Sequence, residues 1–254
     1  MGVRAYLHKA RVTFHLIRVL KNWPSFLLAH LRRQQEPMAI QLRNGMSVKL
    51  RPSQSDATML METWGMRYYT PPSHDVGPDD TVVDIGGHIG SFTLYAATRT
   101  KETVLAFEPF PESFSLLQEN VRRNRLKNVI LEQKAVFSRT GKMDLHLYDG
   151  PHSGSNSLFH RNTGRKMRIQ TITLDDAFRK HRIAKVDFMK IDCEGAEYDI
   201  LFSLPKATLR KIRRISMEYH DAINEHNHAE LMRFFAENGY RARLEGEFIY
   251  AVRA

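Results

Sequence analysis

Residues 81–95 read TVVDIGGHIGSFTLY, and this stretch decides the fold. The β-branched run of Val82, Val83 and Ile85 ends in Gly86-Gly87-His88-Ile89-Gly90, and a helix-compatible segment begins at Ser91. Strand, glycine turn and helix therefore follow one another directly. Glycine permits a positive φ and removes the Cβ that would keep a ligand from the backbone. The helix that follows points free N–H groups and its positive dipole end toward the turn. A nucleotide-like ligand is the expected occupant.

Outward from this stretch, strand and helix patterns alternate. Strands are expected at 104–108, 129–133, 186–191 and 212–218, and helices at 112–125, 175–181, 197–202 and 229–238. A closing pair of strands is expected near 240–244 and 248–252. Such alternation predicts an α/β fold, a doubly wound, mostly parallel sheet with helices on both faces. Residues 138–172 interrupt it with β-like pieces at 143–148 and 167–171 around a polar loop, 149–162. Before the glycine strand, residues 39–51 alternate around Asn44-Gly45, which predicts a β-hairpin. Residues 56–69 read as a helix with Ser55 or Asp56 as its cap.

The chain has 254 residues with one cysteine, Cys193, which excludes an internal disulfide and a cysteine-cluster metal site. A reducing, cytoplasmic setting is the expectation. Of the net charge of +10, residues 1–36 carry +6, seven basic residues against the single acid Glu36. The charge thus marks a basic N-terminal arm rather than a polyanion-binding protein. No apolar run there is long enough to cross a bilayer, and no small-residue cleavage site follows. As a helix, Arg4, Arg11 and Arg18 share one face opposite Val12, Leu16, Val19, Leu20 and Trp23. It suits either packing on the core or on another subunit, or peripheral contact with a membrane surface. Three regions result: an arm at 1–36, a hairpin and helix at 37–78, and a ligand-binding domain at 79–254. Oligomeric state is not legible.

Glu108 ends the second strand, 22 residues after Gly86, where an acid accepts hydrogen bonds from the ribose of an adenosine. A dinucleotide or S-adenosylmethionine fits such an acid. The dinucleotide fingerprint needs three glycines in G-x-G-x-x-G spacing. Here the spacing is Gly86-Gly87-x-x-Gly90, which favours the methyl donor.

At this point the chain resembles the FkbM-type methyltransferases, a class I, S-adenosylmethionine-dependent family. The resemblance rests on VVDIGGHIGSFTL, AFEPFPESFSLLQENVRRN, TITLDD, VDFMKIDCEGAEYDIL and ISMEYH, and spans about residues 79–220. It implies a seven-stranded Rossmann-like sheet and O-methylation of a hydroxyl on a sugar, glycolipid or natural product. By the same resemblance Asp84, Gly86, Gly87 and Gly90 hold the methionine end of the cofactor, Glu108 the ribose, and Phe110 and Ala135 the adenine, with Asp192 beside them. One departure stands out: Gly87-His88 occupy positions that are usually Ala-Asn, so His88 opposes or replaces a contact to the amino-acid part of the cofactor.

Asp192 and Glu194 follow the next strand, and the strand after it delivers Glu218, Tyr219 and His220 to the same edge. Methyl transfer needs an oxygen aligned with the methyl group and relieved of its proton. His220 has the most suitable ordinary pKa for a base, and Asp192 or Glu194 serves if its neighbours raise it. These carboxylates and the histidine also suit a divalent cation, but no tight ligand motif is present and no metal is assigned. His226 and His228 form no ligand pattern. Ser153, Asn156 and Ser157, in the polar loop, are candidate contacts to a polyhydroxylated acceptor, with Glu218 beside them. Tyr68 and Tyr69 form either another wall of the site or, more simply, core. Nucleic-acid methylation is disfavoured, since no N-P-P-Y-like tetrapeptide is present. A methyltransferase fold without catalysis stays open.

Overall fold

The computed structural model describes residues 14–32, 34, 36–51, 55–148, 156–159, 165–221, 223 and 225–254. Strand β3 (Val82–Ile85) lies inside a seven-stranded sheet. On one side lie β4 (Val104–Phe107) and β5 (Val129–Glu132); on the other lie β9 (Phe188–Ile191), β10 (Arg214–Glu218), β12 (Phe248–Arg253) and β11 (Tyr240–Glu245). Only β12 runs against its neighbours β10 and β11; the pairings from β5 to β10 are parallel. This is the class I methyltransferase arrangement. Every residue of β3, β4 and β9 is buried, which is why these segments read as continuous rather than alternating apolar runs.

The crossover helices cover both faces. Helix α3 (Ser91–Arg99) and α4 (Pro111–Arg123) lie on one, with α5 (Leu174–Lys180), α6 (Glu197–Phe202) and α7 (His228–Glu237) contributing to the core on the other. A second, three-stranded sheet of β6 (Ala135–Val136), β8 (Lys166–Ile172) and β7 (Gly141–His146) branches off after β5. It absorbs the two β-like pieces expected between 138 and 172.

The hairpin is present as β1 (Met38–Gln41) and β2 (Ser47–Leu50). It docks on α4 through two carboxamides one helical turn apart. Asn120 accepts from Lys49 N at 2.6 Å and donates to Lys49 O at 3.0 Å, and Asn124 does the same for Ser47. The side chains thus act toward β2 as a neighbouring strand would.

Two local expectations change. Residues 14–19 are helical, but the expected single arm helix is broken at Leu20, which forms a bridge to Leu42 and is buried. A second helix, α1 (Trp23–Leu31), follows, with Phe26 and Ala29 buried. The apolar hairpin outcompetes helix continuity at Leu20. The helix expected over 56–69 is α2 (Asp56–Leu60), which widens into a π-helical turn, Met61–Met66, and stops at Arg67 with φ 57°. Asp56 does not cap it. Its carboxylate instead takes Arg51 N, Nε and Nη2 at 2.7, 2.9 and 2.9 Å in a buried ion pair.

Candidate active site

Strand register assembles the site. Ile85 pairs with Phe107 on one side and with Ile191 on the other, and Ile191 pairs with Met217. The next residue of each strand is therefore in line: Glu108, Gly86, Asp192 and Glu218 form a row across the carboxyl edge. Strand order reverses at β3, and open α/β sheets bind ligands at such a switch point.

A cleft opens over Glu108, Gly86 and Asp192 of this row. One end is apolar, lined by Phe107, Phe110, Val136, Leu145 and Leu158; the other is polar, lined by Gly86, His88, Asp192 and Glu194. Glu108 lies among them, nearly buried. Its Oε2 accepts from His88 N and its Oε1 from Phe110 N, both at 2.8 Å. Burial pushes this carboxyl up to about 7, against the two backbone N–H groups that favour its charge.

Gly86 must be glycine. It has φ 79°, and a Cβ there would lie 1.8 Å from the carbonyl oxygen of Asp192. Gly90, φ 93°, caps α3 where a Cβ would strike Leu117. Gly87 is different, because a Cβ would meet Leu117, Phe107 and Thr93 at 3.3 to 3.5 Å. The alanine usual in the family is thus nearly accommodated. His88 has φ 49°, a conformation that Asn and His tolerate better than most residues. Its ring is buried with Nε2 3.6 Å from Asp56, and burial lowers it to about 4. It lines the cleft as a neutral imidazole.

Asp84 does not reach the cleft. It is fully buried beneath the turn, accepting from Thr93 Oγ1 at 2.6 Å and facing its register partner Lys190. Lys190 went unread in the sequence, although a lysine in the apolar strand FMKI is itself a signal. Its Nζ donates to Gly86 O at 2.7 Å and lies 3.4 Å from Asp84 and 3.5 Å from Asp192. Burial opposes the charge, but Asp84 and Asp192 outweigh it and the ammonium is held above its ordinary range.

Asp192 is held below the carboxylate range: burial raises it, and Lys190 and His220 more than compensate. Tyr69, the residue most simply read as core, is buried as such, but its hydroxyl lies 2.7 Å from Asp192 Oδ2 and 3.0 Å from Glu218 Oε2. One hydroxyl proton serves two carboxylates. Burial and the nearby Asp192 push Glu218 up to about 8, so at neutral pH Glu218 carries the second proton. The π-helical Glu62, also missed, is raised to about 7 by burial and Asp192.

His220 is not the free base the sequence suggests. Its Nδ1 is 2.8 Å from Glu197 Oε1. Burial works to lower it, but Glu197, Asp192 and Glu194 push it up to about 10. At neutral pH it is an imidazolium, and its base role is withdrawn. Neither His220 nor Glu218 lines the cleft; both stand at its Asp192 end. Of the loop, Asn156 lines the cleft and Ser157 donates to Glu194 O at 2.6 Å, while Ser153 lies outside the described residues. Ala135 lines the apolar half.

The sequence profile of the methyltransferase FkbM domain matches residues 84–242. The chain belongs to the FkbM methyltransferase family. Over 214 residues it is 26% identical to the 31-O-demethyl-FK506 methyltransferase FkbM of Streptomyces tacrolimicus, covering 72% of this chain and 81% of that one. It is 29% identical to the hexuronic acid methyltransferase AglP of Haloferax volcanii, covering 61% and 62%. It is 30% identical to the 2-O-methyltransferase NoeI of Sinorhizobium fredii, covering 57% and 65%. A solved FkbM methyltransferase from Methylobacillus flagellatus aligns over 91% of this chain and 59% of its own, at 14% identity and a TM-score of 0.47. The protein is a methyltransferase of this family, and the row at the sheet edge is its candidate centre.

Proposed function

We propose that this FkbM-family protein is an S-adenosylmethionine-dependent O-methyltransferase acting on a hydroxyl of a sugar, glycolipid or natural product. The observation that carries the reading is Glu108, seated between apolar and polar halves of the cleft, in register with Gly86 and Asp192. The donor set fits the cofactor: an apolar slot for adenine at Phe110, Ala135 and Leu158, a carboxylate for the ribose, and open backbone at Gly86. S-adenosylmethionine supplies an electrophilic methyl group on a sulfonium. The chain supplies orientation, the larger part of such a reaction. Lys190 fixes the glycine turn against the Asp192 strand. Asp192 is held ionised by Lys190 and His220, so it accepts a hydrogen bond from the acceptor hydroxyl and aligns its oxygen, while the proton passes to solvent as the methyl group is transferred. Isothermal titration with S-adenosylmethionine tests the reading: binding by the wild type that Glu108→Ala weakens supports it, and no binding, or equal binding by both, overturns it.

The relatives named for O-methylation and for a hexuronic acid favour an oxygen acceptor. We also propose peripheral contact with an anionic membrane surface. Phe14, Ile17, Leu27, Leu28 and Leu31 are exposed, five of the nine large exposed apolar side chains among the described residues. Arg18, Lys21 and Arg32 accompany them, and no acid precedes Glu36. Exposed apolar side chains in a segment rich in basic residues suit an anionic interface. No helix among the described residues is long and apolar enough to cross a membrane.

A further inference from the structure

We infer that Asp192, Glu218 and His220 form a divalent-cation site at the acceptor end of the cleft. One ligand atom of each lies within 4.8 Å of the others. With metal bonds of about 2.1–2.3 Å, small side-chain adjustments bring all three onto one ion. The three residues come from the ends of two adjacent strands, β9 and β10, so no tight spacing in the sequence betrays them.

Two features beyond the cluster point to a ligand. The first is the way its members are held. Metal-binding histidines almost always give their second ring nitrogen to a carboxylate, which fixes the tautomer and aims the other nitrogen. Glu197 Oε1 takes His220 Nδ1 at 2.8 Å, and is itself fixed by Cys193 N at 3.2 Å. Nε2 is thereby turned toward Glu218 Oε1, 3.8 Å away. Tyr69 does the corresponding service for the carboxylates, holding Oδ2 of Asp192 and Oε2 of Glu218 and leaving Oδ1 and Oε1 for another partner.

The second feature is the charge balance. Glu62 faces Glu218, and Glu194 and Glu197 face His220, so with Asp192 five carboxyl groups meet at this end. Lys190 is the lysine among them, and it is committed to Gly86 O and Asp84. A dication suits an end so rich in carboxyl oxygens. Two carboxylates and one imidazole suit Mn²⁺ better than the all-oxygen Mg²⁺.

The site has a use on the methyl-transfer reading, on which this part alone rests. Three protein ligands leave coordination positions open, and an acceptor presenting two adjacent oxygens, such as a vicinal diol, fills two of them. The cation then orients the hydroxyl beside Asp192 and favours its ionised form.

The test uses the full chain, stripped with EDTA and dialysed, titrated with MnCl2 alone and followed by electron paramagnetic resonance. One Mn²⁺ per chain is expected, with affinity falling about tenfold or more in Glu218→Gln and in His220→Ala, and also in Glu197→Gln through loss of ring orientation. Melting temperature and S-adenosylmethionine titration confirm that each variant is folded. No saturable binding by the wild type overturns the site, as does equal binding by wild type and variants. S-adenosylmethionine binding without Mn²⁺ binding removes the metal site and leaves the methyl-transfer reading; the converse removes the methyl-transfer reading and leaves the metal site.

Discussion

The Lys190 ammonium donates to the Gly86 carbonyl at 2.7 Å from the neighbouring strand. Through that bond, and its 3.4 Å approach to Asp84, one buried side chain holds the glycine turn and neutralises the acid beneath it. Removing one partner of a buried pair strands the other. Lys190→Met is therefore expected to lower unfolding free energy by roughly 3–5 kcal/mol in urea denaturation. Lys190→Met combined with Asp84→Asn recovers part of the loss. A single variant as stable as the wild type discards this account.

Glu108 predicts a pH dependence of two signs. Its folded pKa, about 7, lies above the ordinary 4.5, so the folded apoprotein holds a proton that the unfolded chain releases earlier. The resulting stability is present below 4.5 and lost as pH rises through 7. Glu108→Gln is expected to match the wild type near pH 4.5 and to exceed it at pH 8, by on the order of 3 kcal/mol at most. Cofactor affinity runs the other way. The ionised carboxylate binds ribose hydroxyls more strongly, so wild-type affinity rises with pH through 7, and Glu108→Gln weakens binding about tenfold or more at pH 8. Calorimetric titration at pH 6 and 8 separates the two; a flat affinity profile refutes the ribose role.

The glycines of the turn differ in tolerance. Gly86→Ala places a Cβ against Asp192 O and is expected to abolish cofactor binding or folding. Gly87→Ala needs only a few tenths of an ångström of give from the flexible end of Leu117 and is expected to keep cofactor affinity within about threefold and stability within about 1 kcal/mol. Melting curves with and without S-adenosylmethionine distinguish them. Equal damage from both contradicts the close-approach argument.

His88 gives a further pH signature. Its folded pKa, about 4, lies below the ordinary 6.5, so its contribution is complete above 6.5 and disappears as pH falls through 4. His88→Asn keeps a residue suited to positive φ and removes the titrating ring. Its melting temperature is expected to fall less steeply than that of the wild type between pH 6.5 and 4.5. Parallel slopes show that His88 is not the group responsible.

The exposed leucines of α1 test the membrane proposal. Wild-type protein is expected to float with phosphatidylglycerol-containing vesicles and not with phosphatidylcholine alone, and Leu27→Glu/Leu28→Glu/Leu31→Glu to remain unbound. These side chains are exposed, so melting temperature changes little. Flotation equal for both proteins removes this surface from the account.

The fold was legible because its signals are local. Continuous apolar strands, Asn44-Gly45 and the glycine turn each act within a few residues, and the strands and crossover helices fell within a few residues of expectation. Helix continuity was harder: Leu20 leaves its helix for a partner 22 residues away, and the π turn at Met61–Met66 has no local signature. In the site, Glu108 and Asp192 were readable because strand ends are. Lys190 passed as part of an apolar run, and Tyr69 as core. His220 carried the right residue type and the wrong protonation, since Glu197 meets it only in space.

The Asn120 carboxamide that clips β2 to α4 also donates to the carbonyl of Ile89, inside the glycine turn, at 2.8 Å. A single buried amide is thus stitched to both the N-terminal layer and the cofactor loop. Cutting the chain ahead of Asp79 to isolate the catalytic sheet takes away half of that stitch and bares the apolar flank of α4. The hairpin of residues 38–50 is a brace for the glycine turn, and a strain applied at Lys49 reaches Ile89 through one side chain.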